Sequence, residues 1–396
     1  MTQAREASLI TTLQDVRDAV ETARAAGAVA LDTEFLRERT YRARLCLVQI
    51  ATDDGIWLID ATALSDLAPL TELLADPRVE VVVHAGKQDL QIFHDSYGVL
   101  PKNVFDVQIA AGFAGLGASL PYGRLIEEVL EVRLEKGESY SDWCTRPLTA
   151  AQLSYAADDV RYLLEAASVL KNRLAELDRM GWVSEEMRAL QTDSSYANDP
   201  GDAWRRVGGR GSLSGRQVAV LKEVARWREE AAAARDLPRG WVVKDVSLVE
   251  IARRAPGSLG QLKAIRGINP REAERSGTAI LDAVEKGKQA DPIAAKKTPS
   301  RAVQHRVRAL AGLADALIKA RADQAGVATE FVATREELEA ALVELLSGLS
   351  GGAEHALLSG WRHELAGRSI LALVQGRIAI AATEDPPYVQ EIELNR

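Results

Sequence analysis

Apolar and polar positions along the first 190 residues follow two periods, one typical of helices and one typical of strands. Residues 9–26 place apolar side chains three and four positions apart, which predicts an amphipathic helix that ends at Gly27. Residues 28–35 form an apolar run that predicts a strand. The other predicted strands are 45–51, 56–59 and 79–83, and the other predicted helices are 63–75, one after His84, one opened by residues 105–108, 121–132 and one that begins after Thr149.

Beyond residue 190 the pattern becomes helical, and two polar stretches interrupt it. Residues 191–211 are rich in Gly, Ser and Asp, and residues 291–300 in Ala and Lys, which is typical of linkers. Helices are predicted at 213–234, 246–254, 271–286, 301–325, 334–347, 356–365 and 369–375. The predicted parts of the chain are a first domain at 1–190, a linker at 191–211, a helical domain at 212–290, a linker at 291–300, a second helical domain at 301–380 and a tail at 381–396.

Composition narrows the class of protein. A chain of 396 residues with 47% apolar positions can form two or three domains with substantial cores. The 27% of charged residues, and the lack of a long apolar run or a signal segment, argue against a membrane protein, and we expect a cytoplasmic one. The only cysteines are Cys46 and Cys144, whose spacing indicates neither a disulfide framework nor a zinc site, so we expect two small buried thiols.

The net charge of −8 is unevenly distributed along the chain. Residues 1–190 carry 19 basic and 30 acidic side chains, a net charge of −11, whereas residues 212–292 carry 15 and 11, a net charge of +4. An acidic first domain followed by a basic helical domain suits a metal-dependent site joined to a module that binds nucleic acid.

Three groups of acidic residues follow one another in the first domain. Asp32 and Glu34 lie two positions apart at the end of a predicted strand, so their carboxylates share one face, where a hard divalent cation would offset their repulsion. Asp89 lies in the first turn of the helix after the next strand. Tyr155 and Asp159 lie four positions apart on one helix face. Taken singly, these acids have plainer explanations, namely a solvated strand end for Asp32 and Glu34 and favourable placement at a helix N-terminus for Asp89.

Other side chains near these acids could contact a nucleic acid. Arginines at 37, 39, 42 and 44 follow the first pair of acids and could hold phosphates, although a solvated basic loop explains them equally well. Lys87 and Gln88 precede Asp89 and could touch phosphate or sugar. His84 is expected to be a packed, hydrogen-bonded side chain, and Asp106 to cap a helix.

These groups resemble the three motifs of the DEDD superfamily of 3′→5′ exonucleases, and the Tyr-x-x-x-Asp form of the third resembles the tyrosine subgroup. The text Leu31-Asp-Thr-Glu-Phe35, His84-Ala-Gly-Lys-Gln-Asp-Leu90 and Phe105-Asp-Val-Gln-Ile-Ala-Ala111 is similar to the ribonuclease D family, as are Asp142-Trp-Cys-Thr-Arg-Pro-Leu148 and Tyr155-Ala-Ala-Asp-Asp159. The four-residue offset from Tyr155 favours Asp159 as the third-motif acid, because Asp158 would point about 100° around the helix.

The resemblance implies a ribonuclease H-like α/β domain with a mixed central sheet, followed by all-α domains. Two Mg²⁺ or Mn²⁺ ions would be held by Asp32, Glu34, Asp89 and Asp159, and Tyr155 would orient the attacking water. The substrate would be RNA with a single-stranded 3′ end, such as a tRNA precursor, shortened one nucleotide at a time to 5′-monophosphates. The residues expected to contact this substrate are Phe35, Arg37, Arg39, Lys87, Gln88, Trp143 and Arg146.

The helical unit at 212–290 resembles the HRDC domain (helicase and ribonuclease D C-terminal), and residues 301–380 resemble a divergent second copy. The resemblance implies nucleic-acid contacts by Lys222, Arg226, Arg239, Trp241 and Lys244. The alternative is a domain that only packs against the rest of the chain, with Trp241 buried. For the whole chain, the alternatives are a DNA 3′→5′ exonuclease with the same metal site and a non-catalytic RNA-binding protein.

Overall fold

The computed structural model describes residues 6–134, 141–293, 299–348 and 355–394 of the chain. It divides into two compact units, each made from separate stretches of sequence. Unit 1 comprises Met1–Glu34, Leu47–Ser195 and Pro299–Arg396, and unit 2 comprises Phe35–Cys46 and Tyr196–Thr298. The described helices are α1 Leu13–Ala26, α2 Ala68–Leu74, α3 Lys87–Tyr97, α4 Val107–Phe113, α5 Tyr122–Leu130, α6 Ala150–Arg161, α7 Leu163–Glu176, α8 Met180–Leu190, α9 Gly215–Ala234, α10 Arg239–Val242, α11 Asp245–Arg254, α12 Leu259–Lys263, α13 Pro270–Gln289, α14 Arg301–Ala325, α15 Thr329–Val332, α16 Arg335–Ser347, α17 Gly360–Arg362 and α18 Arg368–Val374.

A six-stranded mixed sheet organises the first part of the chain. Its strands are β1 Ala7–Ile10, β2 Ala28–Leu36, β3 Arg44–Ala51, β4 Ile56–Asp60, β5 Glu80–Val83 and β6 Val104–Asp106. Their order in the sheet is β1-β4-β3-β2-β5-β6. Strands β3 and β4 run antiparallel, whereas β1 with β4, β2 with β5 and β5 with β6 run parallel. The predicted mixed sheet is confirmed, and so is a helical region after it.

Around the six-stranded sheet, strands β1 and β6 and the starts of α1 and α2 differ from the sequence prediction. Residues 9 and 10 belong to β1 rather than to a helix, because α1 begins only at Leu13, after Thr12 accepts a hydrogen bond from the Asp15 amide. Strand β6 was not predicted at all, since its three residues are too few to show alternation. Helix α2 begins at Ala68 instead of 63, with Pro69 in its first turn, where a helix accommodates proline.

The last hundred residues belong to the same compact unit as the sheet. Trp361 is 1% exposed and packs between Phe113, at a ring distance of 4.9 Å, and Trp182, at 5.5 Å. Phe331 stacks on Phe113 at 5.1 Å. The Trp361 indole and the Arg362 guanidinium both donate hydrogen bonds to Glu186, at 2.8 and 2.5 Å. An aromatic core with a partly buried ion pair thus joins the C-terminal helices to α4 and α8.

The end of the chain is ordered rather than an unplaced tail. Strands β7 Ile378–Ala382 and β8 Val389–Glu393 pair antiparallel, and this hairpin crosses the boundary predicted at 380. Part of the predicted linker 291–300 lies outside the described residues. Both cysteines are disulfide-bonded, contrary to the expected thiols, because spacing in sequence does not show which side chains the fold brings together. In the described ranges, no helix is long and apolar enough to cross a membrane.

Unit 2 has its own apolar core, formed mainly by α9, α11 and α13. Val224, Leu248 and Ile280 are among its fully buried residues, and Tyr41 from the loop between β2 and β3 packs against this core. The loop 35–46 therefore groups with the helical domain 212–290 rather than with the sheet from which it emerges.

Candidate active site

Strand β2 carries the first pair of acids. Its residues alternate between the two faces of the sheet, so Asp32 and Glu34 share one face while Leu31 and Thr33 point to the other. Carboxylate oxygens of Asp32, Glu34 and Asp159 all lie within 4.8 Å of one another, close enough to bind one cation together. The predicted convergence of the first and third motifs at this strand is therefore present in the structure.

Asp89 lies in the first turn of α3, and two interactions fix its position. The Asp106 carboxylate accepts hydrogen bonds from the backbone amides of Ala85 at 3.1 Å and Gly86 at 3.0 Å, which fixes the turn between β5 and α3. Asp106 also caps α4 by accepting from the Gln108 amide at 2.9 Å, as predicted. The buried Asp89 carboxylate accepts a hydrogen bond from the Thr33 hydroxyl on β2.

Helix α6 presents the third motif. It begins with a capping box in which Thr149 and Gln152 satisfy each other's backbone amides. Tyr155 and Asp159 then lie one turn apart, close enough that the Asp159 charge raises the pKa of the Tyr155 phenol and the phenol lowers that of Asp159. The neighbouring Asp158 instead pairs with Arg161 at 2.8 Å, so Asp159 and not Asp158 joins the acidic cluster.

Burial and mutual repulsion make the acids hard to ionise. Burial, followed by the charges of Asp159 and Asp89, raises the pKa of Glu34 to about 8. Burial is also the main reason that the pKa of Asp159 rises to about 7 and that of Asp89 to about 6. The pKa of Asp32 rises well above its usual range for the same reason, with further contributions from Asp89 and Asp159.

This donor set fits a hard divalent cation. Carboxylate oxygens are the ligands that Mg²⁺ and Mn²⁺ prefer, and a cation offsets the repulsion that raises these pKa values. Asp32, Glu34 and Asp159 could bind such an ion directly. Asp89 is oriented toward Thr33 and adds a fourth carboxylate whose charge acts on Asp32 and Asp159.

Comparison with known proteins identifies the family. A family model described as 3′-5′ exonuclease matches residues 8–175, and the HRDC domain model matches residues 217–284. Ribonuclease D of Gluconacetobacter diazotrophicus is 38% identical over 94% of both chains, and that of Granulibacter bethesdensis is 36% identical over 94% of both. The chain belongs to the ribonuclease D family. The structure of Escherichia coli RNase D agrees, with a TM-score of 0.83, 33% identity, and coverage of 94% of this chain and 99% of the other.

Membership of the ribonuclease D family confirms the predicted activity class, so the chain is a 3′→5′ exoribonuclease. It also confirms the HRDC resemblance of the first helical domain, since residues 217–284 lie within the predicted range 212–290. The acidic cluster supports dependence of this activity on a divalent metal.

Two residues expected to contact substrate, Trp143 and Arg146, make contacts within unit 1. Arg146 donates to both oxygens of the buried Asp60 carboxylate, at 2.6 and 2.7 Å, and to the Trp143 carbonyl at 2.7 Å. Asp60 also accepts from the Thr62 amide and hydroxyl, and together with Arg146 these hydrogen bonds lower its pKa to about 2 despite burial. The Trp143 ring is buried and lies 5.9 Å from the Tyr155 ring.

The Asp60–Arg146 pair therefore connects the end of β4 to the loop that supports Tyr155, a role that no sequence pattern had indicated. A second missed side chain is Tyr122, whose buried hydroxyl donates to the Asp158 carbonyl at 2.9 Å. Its ring lies 5.4 Å from His84, which is hydrogen-bonded to the Leu120 carbonyl as expected. The sequence indicated only that Tyr122 lies at the start of a predicted helix, and not that it contacts the third motif.

The other candidates in unit 1 are accessible. Lys87 and Gln88 are exposed in the first turn of α3, immediately before Asp89. Three further candidates, Phe35, Arg37 and Arg39, follow Glu34 along the chain and belong to unit 2. There both arginines are exposed, and Phe35 is half-buried.

The candidates in the HRDC domain differ in accessibility. Trp241 is 62% exposed, which contradicts the alternative in which it is buried, and Lys244 is exposed. Arg239 is occupied by Glu229, with two contacts of 2.8 Å, and Arg226 lies 3.7 Å from Glu223. Lys222 is half-buried on α9.

Proposed function

We propose that this exoribonuclease uses two Mg²⁺ or Mn²⁺ ions to hydrolyse the terminal phosphodiester of RNA, releasing nucleoside 5′-monophosphates from the 3′ end. The observation that supports this proposal is the convergence of Asp32, Glu34 and Asp159 within 4.8 Å, with Asp89 hydrogen-bonded to Thr33 of the same strand and Tyr155 beside Asp159.

Asp32, Glu34, Asp89 and Asp159 would hold the ions. When bound, such ions lower the pKa of a water molecule and stabilise the charge that develops on the phosphate and on the leaving 3′ oxygen. The four carboxylates supply negative charge in a buried setting, where their attraction for cations is stronger than in water. Their role is to fix where the phosphodiester is held and from which side water attacks.

Tyr155 acts as a positioning group rather than as a base. Burial, Asp159 and Glu34 raise the pKa of its phenol above its ordinary value near 10, so the phenol keeps its proton at neutral pH. A protonated phenol beside Asp159 can orient a water molecule, whose proton passes to bulk solvent, while the leaving 3′ oxygen takes up a proton from solvent. In the overall reaction, water oxygen bonds to phosphorus and the bond from phosphorus to the 3′ oxygen breaks.

The substrate is RNA with a single-stranded 3′ end, and tRNA precursors are the physiological class that we propose. The E. coli relative is described as an exoribonuclease involved in structured RNA processing. Phe35, Lys87 and Gln88 contact the terminal nucleotides beside the acids. Trp241 and Lys244 contact the RNA body, since an exposed indole can stack on a base and an ammonium can pair with phosphate.

One oligonucleotide sequence, made as RNA and as DNA and labelled at the 5′ end, tests this proposal. Each is incubated with the protein and Mg²⁺ or Mn²⁺, with EDTA as the control, and products are resolved at single-nucleotide steps. A metal-dependent ladder that shortens RNA from the 3′ end is expected. Preferential shortening of DNA, or binding of RNA without cleavage, would contradict the proposal.

A further inference from the structure

The loop 35–46, here called the arginine loop, carries an unusual density of accessible positive charge. Its four arginines, at 37, 39, 42 and 44, are all exposed. None of the four side chains makes an ion pair with any residue that the structure describes, and Glu38 is the only acid in the loop. Free guanidinium groups at this density are suited to the phosphates of a polynucleotide.

The arginine loop is held by the HRDC domain within unit 2. The Tyr41 hydroxyl donates to Glu229 on α9 at 2.7 Å. The backbone amides of Tyr41 and Arg42 both point to one oxygen of Asp236, at 3.0 and 3.4 Å. The Arg239 guanidinium lies 5.2 Å from the centre of the Tyr41 ring, a cation–π distance.

The charged groups that hold Tyr41 are already paired with one another. The arginines of the loop therefore stay available to bind phosphate. Glu229 is buried and is paired with Arg239 at 2.8 Å and Arg206 at 3.5 Å. Arg239 begins the short helix α10, which also presents the exposed Trp241. The docking site for Tyr41 thus adjoins an exposed aromatic side chain of the HRDC domain.

We propose that Tyr41 and Asp236 dock the arginine loop on the HRDC domain, so that loop and domain form one binding surface for the sugar-phosphate backbone of RNA. In this view Tyr41 is a positioning residue, and the arginines supply the contacts to phosphate. Arg37 follows Glu34 by only three residues in the chain, so the bound RNA is the strand upstream of the scissile bond. The inference rests on the proposed exoribonuclease function and names how its substrate is held.

The salt dependence of RNA binding distinguishes the effect of docking the arginine loop from the effect of its charge alone. Binding of a single-stranded RNA of about 16 nucleotides is measured by fluorescence anisotropy in EDTA, between about 50 and 200 mM KCl, because the slope of log K against log salt counts neutralised phosphates. Replacing all four loop arginines with glutamine should reduce the slope by about 3, equivalent to a roughly 50-fold smaller loss of affinity across that salt range.

Tyr41→Phe changes no charge, so charge alone predicts unchanged RNA binding. Asp236→Gly removes a negative charge, so charge alone predicts tighter RNA binding. Docking predicts instead that both reduce the slope, by about 1 or more, because the arginines no longer share one arrangement. The matched controls are Tyr388→Phe, at an exposed tyrosine of unit 1, and Asp178→Gly, at an exposed aspartate with a φ of 54° beside the 47° of Asp236.

The outcomes are distinguishable from those that test the catalytic proposal. Turnover of the p-nitrophenyl ester of uridine 5′-monophosphate, which has a single phosphodiester and needs no surface for an RNA strand, is measured in the wild type and in the control Tyr388→Phe, where it should be equal. Loss of this turnover from the wild type would refute the catalytic proposal and leave the binding result standing. An unchanged slope in the four-arginine variant would refute the surface, and unchanged slopes in both docking variants would refute the role of Tyr41 and Asp236.

Discussion

Replacing Glu34 with glutamine should stabilise the metal-free protein, although it removes one of the proposed metal ligands. Glutamine keeps the shape of the side chain but cannot ionise. In the wild type the pKa of Glu34 is about 8 when folded, against 4.5 for an ordinary glutamate, because burial and two nearby carboxylates oppose its charge. Wild-type stability therefore falls as the pH rises from about 4.5 to about 8. The variant has no carboxyl to ionise at this position, so it does not lose this stability.

The size of the effect follows from that difference in pKa. Taken alone, the Glu34 carboxyl would lower the free energy of unfolding by about 4 kcal/mol between pH 4.5 and about pH 7.5. Sharing of protons among the neighbouring acids reduces this loss to about 2 kcal/mol. The variant should thus exceed the wild type by about 2 kcal/mol at about pH 7.5, and the two should be equal near pH 4.5.

Urea denaturation in EDTA, followed by circular dichroism at both pH values, measures this difference. Glu21→Gln, at an exposed glutamate on α1, is the control and should show no such pH dependence. Added Mn²⁺ should stabilise the wild type more than the Glu34 variant, because only the wild type keeps the full ligand set. A variant no more stable than the wild type at about pH 7.5 in EDTA would refute the idea that the cluster is electrostatically strained.

Four further changes test other parts of the structure. Asp159→Asn should nearly abolish cleavage of labelled RNA while circular dichroism stays unchanged, since it removes the charge of a proposed metal ligand. Mn²⁺ affinity measured by calorimetry should fall as the pH is lowered from about 8 to about 6, because Glu34 and Asp159, with pKa values of about 8 and 7, take up protons and cease to bind metal. Arg146→Lys should lower kcat by about 10-fold with a smaller change in KM, because lysine cannot hold both oxygens of Asp60; equal changes in both constants would contradict a positioning role. Trp361→Ala should lower the free energy of unfolding by about 3–5 kcal/mol in urea titrations, since it empties a buried aromatic site; a change below about 1 kcal/mol would contradict the packing described above.

The acids were predictable from the sequence because their chemistry is local. The two-residue offset of Asp32 and Glu34 and the four-residue offset of Tyr155 and Asp159 each fix a shared face as soon as the element is known. The resemblance to a known family then brought the separate groups together. The role of Arg146 could not be read in this way, since its partner Asp60 lies 86 positions away and nothing between them signals the pairing.

The fold was predictable where segments are long and regular. Helices α1, α9 and α14 show clear periodicity, whereas the short edge strands β1 and β6 owe their structure to pairing with β4 and β5. The grouping of the arginine loop with the HRDC domain depends on hydrogen bonds between residues almost 200 positions apart. The assignment of residues 301–380 to a second HRDC-like domain stays a prediction.

The aromatic core around Trp361 has a consequence for synthesis of the chain. Phe113 and Trp182 leave the ribosome well before Phe331 and Trp361, which follow them in the chain and pack against them in the folded protein. A chain that stops short of these residues exposes a large aromatic surface and is a substrate for aggregation or proteolysis. The aromatic core of unit 1 is therefore completed only after residue 361 has been synthesised, and the first domain cannot reach its full stability before that point.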